Sequence, residues 1–356
     1  MISKLPINLP ASKLMLLWLG LGFATALLAA PAPRQILHVP PAAGSPGINK
    51  ALAALGKDGG EVVLSPGTYR ITLPVIIRQD NITLRGAGPA TLLRLGDLAN
   101  CPVLIVGDEA SAPRRTVRSV CVADLRIDGN RTHQHDECWN GACDTGSLTA
   151  IRSSGLVIRR ARDILVLRVA ADHCRSGGLV TEKECRHLVV EDFSASDNEF
   201  DGLACYQTED SRFTRLYLHH NRSAGISTDI NFDHNTLSHL RLFHNGSHGI
   251  FMRNSSRNTF EHLQVKNSGR AGIFVDQVDK NRRTGSVGNR FTDVTVTASG
   301  GPGFQVNAAS CKNTTLTHAR LENNTVGIWA AAPDLVTQEE VLVRDKNTRA
   351  PVQVER

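Results

Sequence analysis

Aromatic residues are scarce. Only 5% of the 356 residues are Phe, Tyr or Trp, while Gly, Asn, Ser and Thr are frequent. That mix argues against a helical bundle and suits many short strands joined by tight turns. Long apolar runs are lacking beyond residue 30, so no later stretch is expected to cross a bilayer. Basic clusters carrying a recognition motif are also absent, which argues against nucleic acid as a partner. The formal charge is +6, and removal of Lys4 and Lys13 with a leader lowers it to +4, a weak bias toward polyanions.

The N-terminus has the pattern of a secretory signal. Lys4 and Lys13 precede the apolar run Leu14 to Ala30, and Ala30-Pro31-Ala32 fits a cleavage site. Residues 1–32 are therefore expected to be a signal peptide, leaving a periplasmic or secreted protein with no membrane attachment. The eight cysteines fit that compartment. Cys138 and Cys143 share one short loop and are the expected local bridge. Zinc competes there through His133, His135, Asp136 and Asp144, but the spacing matches no zinc pattern well.

A repeat dominates what remains. Glycine followed by an apolar residue recurs at Gly178, Gly202, Gly225, Gly249, Gly272, Gly303 and Gly327, at intervals of 24, 23, 24, 23, 31 and 24 residues. The interval of 31 reads as an ordinary coil with a loop inserted around Val278 to Gly285. Four residues before each glycine stand Cys174, Asn198, Asn221, Asn245, Ser268, Ser299 and Asn323. A second column reads Ser211, Asn235, Asn258, Asn289 and Asn313. Stacked asparagine amides can satisfy the backbone of buried turns while bonding to one another along the stack. One strand cannot bury an apolar face alone, but coils stacked about 4.8 Å apart make a continuous core. The segment Ile48 to Gly60 is expected to form a short amphipathic helix capping the N-terminal opening. The repeat fades after Trp329, so 33–330 is expected to be one domain and 331–356 an irregular cap or tail.

The run ALAALGKDGGEVVLSPGTYRI followed by PVIIRQDNITLRGAG resembles the N-terminal part of the pectate-lyase-like superfamily, and the later NxxxGI coils are similar to its repeats. The resemblance covers roughly residues 45 to 330. It implies an all-β, single-stranded right-handed parallel β-helix, a solenoid with a short N-terminal capping helix, and a carbohydrate ligand. It does not choose a reaction, because the superfamily includes lyases, hydrolases, uronate C5-epimerases, phage tailspikes and members without known catalysis.

Alternation along the strand after each glycine predicts an inward row Leu179, Leu203, Ile226, Ile250 and Ile273, and a second of Thr181, Cys205, Thr228, Met252 and Val275. Cys205 is expected to be a buried free thiol. The outward rows read Glu182, Tyr206, Asp229, Arg253, Asp276, Asn307, and Val180, Ala204, Ser227, Phe251, Phe274, Gln305, Trp329. A polar stripe beside an apolar, aromatic one suits a sugar chain. Removing a proton beside a sugar carboxylate needs a base and a cation. Tyr206 could be the base if neighbouring arginines lower its pKa, with Arg253 gripping the carboxylate. Alternatively Asp229, Asp276 and Glu182 could hold Ca²⁺. β-Elimination then gives a lyase and reprotonation from the opposite face an epimerase. Glu182, Phe251, Phe274, Asn307 and His248 complete the expected binding face for an acidic polysaccharide. The competing explanation of the stripe is an exposed charge ladder in which Arg253 pairs with Asp229 and Asp276.

Hydrolysis is the second class and needs two carboxyls, which Asp229 and Asp276, about 9.6 Å apart at their bases by stacking, could supply. NEFDG (Asn198 to Gly202) and SHG (Ser247 to Gly249) loosely resemble polygalacturonase elements and point to Asp201 and His248, but SAGIS stands where that family carries paired aspartates. The loop Asn130 to Gly146 is expected to border the binding face, where His133 or His135 could act as a base, or to be a polar lid. A purely binding or structural β-helix is the third class.

Overall fold

The computed structural model describes residues 35–139, 151–278 and 284–345, with the backbone of Val352–Val354. The expected signal peptide, Cys143 and Asp144 lie outside the described residues. The chain folds as a right-handed parallel β-helix with one short α-helix near its N-terminus.

The repeat dictates the stacking. Leu104, Leu156, Leu179, Leu203, Ile226, Ile250, Ile273, Phe304 and Ile328 stand in register on successive parallel strands. Each is fully buried, and together they form one wall of the core. A longer strand in the second half of each coil, such as Thr236–Phe243 over Thr259–Lys266, forms a second ladder. Mid-strand, His239, His262, Asp293 and His318 each take a left-handed backbone, with φ between 50° and 56°. That single residue turns the corner and resets the alternation, so that Leu237 and Leu240, three apart, are both buried. His and Asp tolerate this conformation better than most residues. Eight of the 13 histidines occupy such corners: His173, His187, His220, His234, His239, His244, His262 and His318. They are structural punctuation.

The asparagine columns are as buried as the apolar wall. The Asn198 side-chain amide donates to Asn221 Oδ1 (2.8 Å), and Asn221 donates to Asn245 (3.0 Å). The second column runs Asn235 to Asn258 (3.2 Å) and Asn258 to Asn289 (3.1 Å). Each side chain also reaches a backbone carbonyl, as Asn221 Nδ2 does with Ala195 O at 3.2 Å. Two members differ from expectation. Asn324, not Asn323, holds the first column, accepting from Ser299 N at 2.9 Å, because Asn323 is the left-handed corner residue with φ 55°. Thr314, not Asn313, continues the second, because Asn313 is its corner with φ 56°. Buried free thiols line the interior, among them Cys205 as expected, with Cys101, Cys174, Cys185 and Cys311.

The capping helix spans Gly44–Ala54, earlier than the expected Ile48 to Gly60. Pro46 is tolerated in its first turn, where its missing N–H costs nothing, and Gly56, at φ 60°, follows its end. Ile48 and Leu52 seat the helix on the core. Within the expected C-terminal cap, Val336–Arg344 adds a strand in register on Thr314–Glu322, and Val352–Val354 pairs with Ile328–Ala330. Its sequence hides this because its outward positions are mostly exposed polar residues with no repeat glycine.

Replacing Asn221 by Ala removes one amide of the column and strands the backbone partners on both sides. It is expected to destabilise the protein by about 1–3 kcal/mol, read as a lowered urea midpoint. Asn313→Ala, a corner residue outside the column, should lower it less.

Candidate functional site

The strand after the repeat glycine and the turn before it together build one pocket. Its floor is the second outward row, Val180, Ala204, Ser227 and Phe251. Tyr206, Asp229 and Arg253 rise from the next outward position, and parallel register fixes them side by side on consecutive coils. The preceding turns contribute Phe200, Asp201, Ser223 and His248, and Arg152 and Arg270 complete the rim. Four residues singled out from the sequence for this face thus converge: Tyr206, Asp229, Arg253 and Phe251, with His248 and Asp201 joining from the turns.

The remaining expected residues fall elsewhere. Glu182 is buried against the fully buried Arg159, at 2.6 Å, so it is neither a solvent-facing ligand nor available to substrate. Asp276 and Asn307 sit beyond the pocket and bond to each other, at 3.0 Å. Phe274 touches it indirectly: its ring stacks on Phe251 at 5.3 Å and lies 4.8 Å from His248. Among the described residues no cluster of three or more His, Cys, Asp or Glu side chains is arranged to hold a metal. With Glu182 committed to Arg159 and Asp229 to Arg253, the donor set does not fit the expected calcium ion. His133 and His135 do not line the pocket; His133 Nδ1 instead meets Asn130 Oδ1 at 3.0 Å. Their loop contributes Glu137, which pairs with Arg152 and accepts from Ser176 Oγ at 3.2 Å.

Burial sets the electrostatics. A base role for Tyr206 required neighbouring arginines to lower its pKa; burial instead pushes its phenol well above its ordinary value, with Asp201 and Asp229 adding to the rise and Arg152 and Arg253 only offsetting it. The phenol therefore keeps its proton and is a donor. His248 goes the other way: burial, helped by the Arg270 charge, lowers it to about 4. Its Nδ1 lies 2.9 Å from Ser247 Oγ, and Nε2 is the ring's other nitrogen. Burial raises Asp201, against hydrogen bonds from Ser223 and from Ala224 N, the latter at 2.8 Å. Asp229 is raised by burial too, although Arg253 pulls it down. Asp229 Oδ1 and Arg253 Nε are buried with no hydrogen-bond partner, as are Glu182 Oε1 and Arg159 Nε farther along the row. The guanidinium groups lie over rings, Arg253 over Phe251 at 4.9 Å and Arg152 over Phe200 at 5.1 Å. Arg270 has no ion-pair partner among the described residues.

The sequence missed Arg152, Arg270 and Phe200. They lie outside the strand after the glycine, and only the turn just before it, as with Phe200-Asp201 and Ser247-His248, carried a signal.

Comparison with known proteins agrees with this fold. Residues 213–334 match the family model described as right handed beta helix region. No curated protein matches the sequence. Among solved structures the chain is similar to the A-module of the Azotobacter vinelandii mannuronan C-5 epimerase AlgE6, with 18% identity, 88% of this chain and 93% of that one covered, and a TM-score of 0.57. It is similar to the N-terminal fragment of bacteriophage Phi29 gene product 12, with 15% identity, 83% and 59% covered, and a TM-score of 0.62. It is also similar to the catalytic domain of a GH87 alpha-1,3-glucanase in complex with nigerose, with 11% identity, 92% and 69% covered, and a TM-score of 0.59. The fold is thus a right-handed parallel β-helix. Identities this low establish the fold alone.

The lowered pKa of His248 carries a sign. Its neutral form is favoured in the folded state, so its contribution to stability is complete above its ordinary pKa of 6.5 and is lost as pH falls from there toward about 4. Proton NMR of the imbedded imidazole should show a midpoint near about 4, and a midpoint near 6.5 would contradict the buried site.

Proposed function

We propose that this chain is a carbohydrate-active enzyme of the lyase or C5-epimerase type, acting on a uronate-containing polysaccharide outside the cytoplasm. One observation carries the proposal: a neutral imidazole and a protonated phenol line the same pocket as three guanidinium groups, over an apolar floor. The guanidinium groups of Arg253, Arg152 and Arg270 neutralise the sugar carboxylate and acidify the adjacent C5–H bond. His248 takes the C5 proton. The substrate's carboxylate offsets the charge of Arg270, so binding raises the basicity of His248 when it is needed. Tyr206 returns a proton, either to the leaving glycosidic oxygen, which completes β-elimination, or to the opposite face of C5, which completes epimerisation. Asp229 holds Arg253, and Phe251 supports the ring. The similarity to the A-module of a mannuronan C-5 epimerase supports this class at the level of fold. The Lys4 to Ala32 pattern supports export to the periplasm or beyond, and among the described residues no helix is long and apolar enough to cross a membrane.

A second reading rests on Asp201 and Asp229. Both carboxyls line the pocket and both are raised by burial, the condition for a general acid in glycoside hydrolysis.

Incubation with alginate, polygalacturonate and other acidic polysaccharides separates them. The lyase arm predicts rising ultraviolet absorbance from the conjugated unsaturated uronate left by elimination. Tyr206→Phe and His248→Ala should each lower turnover by about 10²-fold or more, and Arg253→Ala should do so with a raised KM. New reducing ends without absorbance, lost in Asp201→Asn, would favour hydrolysis instead. A wild-type pH profile whose acid limb falls near about 4 rather than 6.5 is expected if His248 is the base in the free enzyme.

A further inference from the structure

A second cluster of rings and cations lies on the other side of the corner that carries the pocket. On the strands Arg212–His219 and Thr236–Phe243, Tyr217 stands beside Arg241 and His219 beside Phe243. Tyr217 is 36% exposed, the sole aromatic among the exposed large apolar side chains of the described residues. The Arg241 guanidinium lies 4.9 Å over Tyr217 and 5.2 Å over Phe243. The His219 ring is 4.2 Å from Tyr217, and the corner imidazoles His220 and His244 stack at 5.1 Å. Lys266 follows Phe243 in register on the next coil. Neither Arg241 nor Lys266 has an ion-pair partner among the described residues. The acids acting on His219 are Asp197 and Asp172, of which Asp172 is held by Ser196 and Arg126.

This surface joins the pocket through the chain itself. His244 precedes His248 by four residues, with the buried ladder residue Asn245 between them. The patch and the pocket lie on two sides of the corner that Asn245 holds. Exposed ring faces cover the CH faces of a sugar, free guanidinium and ammonium groups take carboxylates, and imidazole and amide groups take hydroxyls. His220 and His244 also turn the corner, whereas Tyr217, Arg241, Phe243 and Lys266 take no part in the buried columns that hold the coils.

We propose that Tyr217, Arg241, Phe243 and the adjoining His219, His244 and Lys266 form an accessory subsite that holds the same acidic polysaccharide at a distance from the reacting sugar. The inference rests on the reading of the pocket given above. The subsite contributes to binding of long chains and not to the chemistry of short ones.

Affinity electrophoresis of the full chain through gels containing alginate or polygalacturonate tests this, alongside turnover of short oligouronates. Arg241→Glu, which leaves the rings in place, and Tyr217→Ala are compared with wild type and with the pocket variant His248→Ala. The expected result is roughly tenfold weaker retention for Arg241→Glu, equivalent to about 1.4 kcal/mol, with turnover of short substrates unchanged. His248→Ala should keep its retention and lose turnover. Retention of Arg241→Glu and Tyr217→Ala equal to wild type would overturn the subsite while leaving the pocket reading intact. Wild type that is retarded by neither polymer would overturn both. Arg241-dependent binding to phosphatidylglycerol vesicles, with none to the polymers, would overturn the glycan as occupant.

Discussion

The two buried asparagine columns are the constraint on which everything else rests. A β-helix must bury its turns as well as its strands, and a buried turn leaves backbone donors and acceptors that water cannot reach. One amide per coil solves this, because each side chain accepts from the coil on one side and donates to the other while also reaching a carbonyl. The bond Asn198 to Asn221 to Asn245 therefore repeats with the rise of the coil, and it fixes the register of every strand attached to it. Insertions must return to that register. The coil between Gly272 and Gly303 is longer than its neighbours, yet Asn289 still meets Asn258, and Phe304 still lies in line with Ile273.

Fixed register has a chemical consequence. Residues at one outward position become neighbours separated only by the rise of a coil, so Tyr206, Asp229 and Arg253 form a row with no freedom to drift apart. The turn at the asparagine corner then folds Asp201 and His248 over the row and takes it out of water. Exposed, this row would be the ordinary charge ladder that its alternation suggests. Partly buried, it holds a phenol protonated and an imidazole neutral, and it leaves one carboxylate oxygen and one guanidinium nitrogen without partners. Farther along the same row, burial gives a different result: Glu182 and Arg159 close on each other and are spent on structure.

The fold was legible because a solenoid writes its geometry as period and column. Glycine spacing located the coils, and alternation placed Cys205 inside and Phe251 outside correctly. Errors arose where a left-handed corner residue sits beside its ladder residue, since Asn suits both positions. Asn313-Thr314 and Asn323-Asn324 could not be resolved by residue type alone. The strand Val336–Arg344 falls in the segment expected as an irregular cap or tail, because its glycine signal is absent while its pairing persists. The site was half legible. Rows within one strand could be read directly, so Tyr206, Asp229 and Arg253 came together as anticipated. Arg152 and Arg270 come from other parts of the coil, and the protonation state of Tyr206 depends on how the turns cover it, which no single row records.

The central claim is that this pocket removes a proton from carbon beside a sugar carboxylate. Incubating acidic polysaccharides with the protein in D₂O and reading C5 deuterium by NMR tests that step directly, whether its product is an eliminated or an inverted sugar. The account predicts deuterium at C5, or loss of the C5 proton with an unsaturated end, for wild type and neither for His248→Ala. Chain cleavage with every C5 proton retained would contradict it and assign the pocket to hydrolysis.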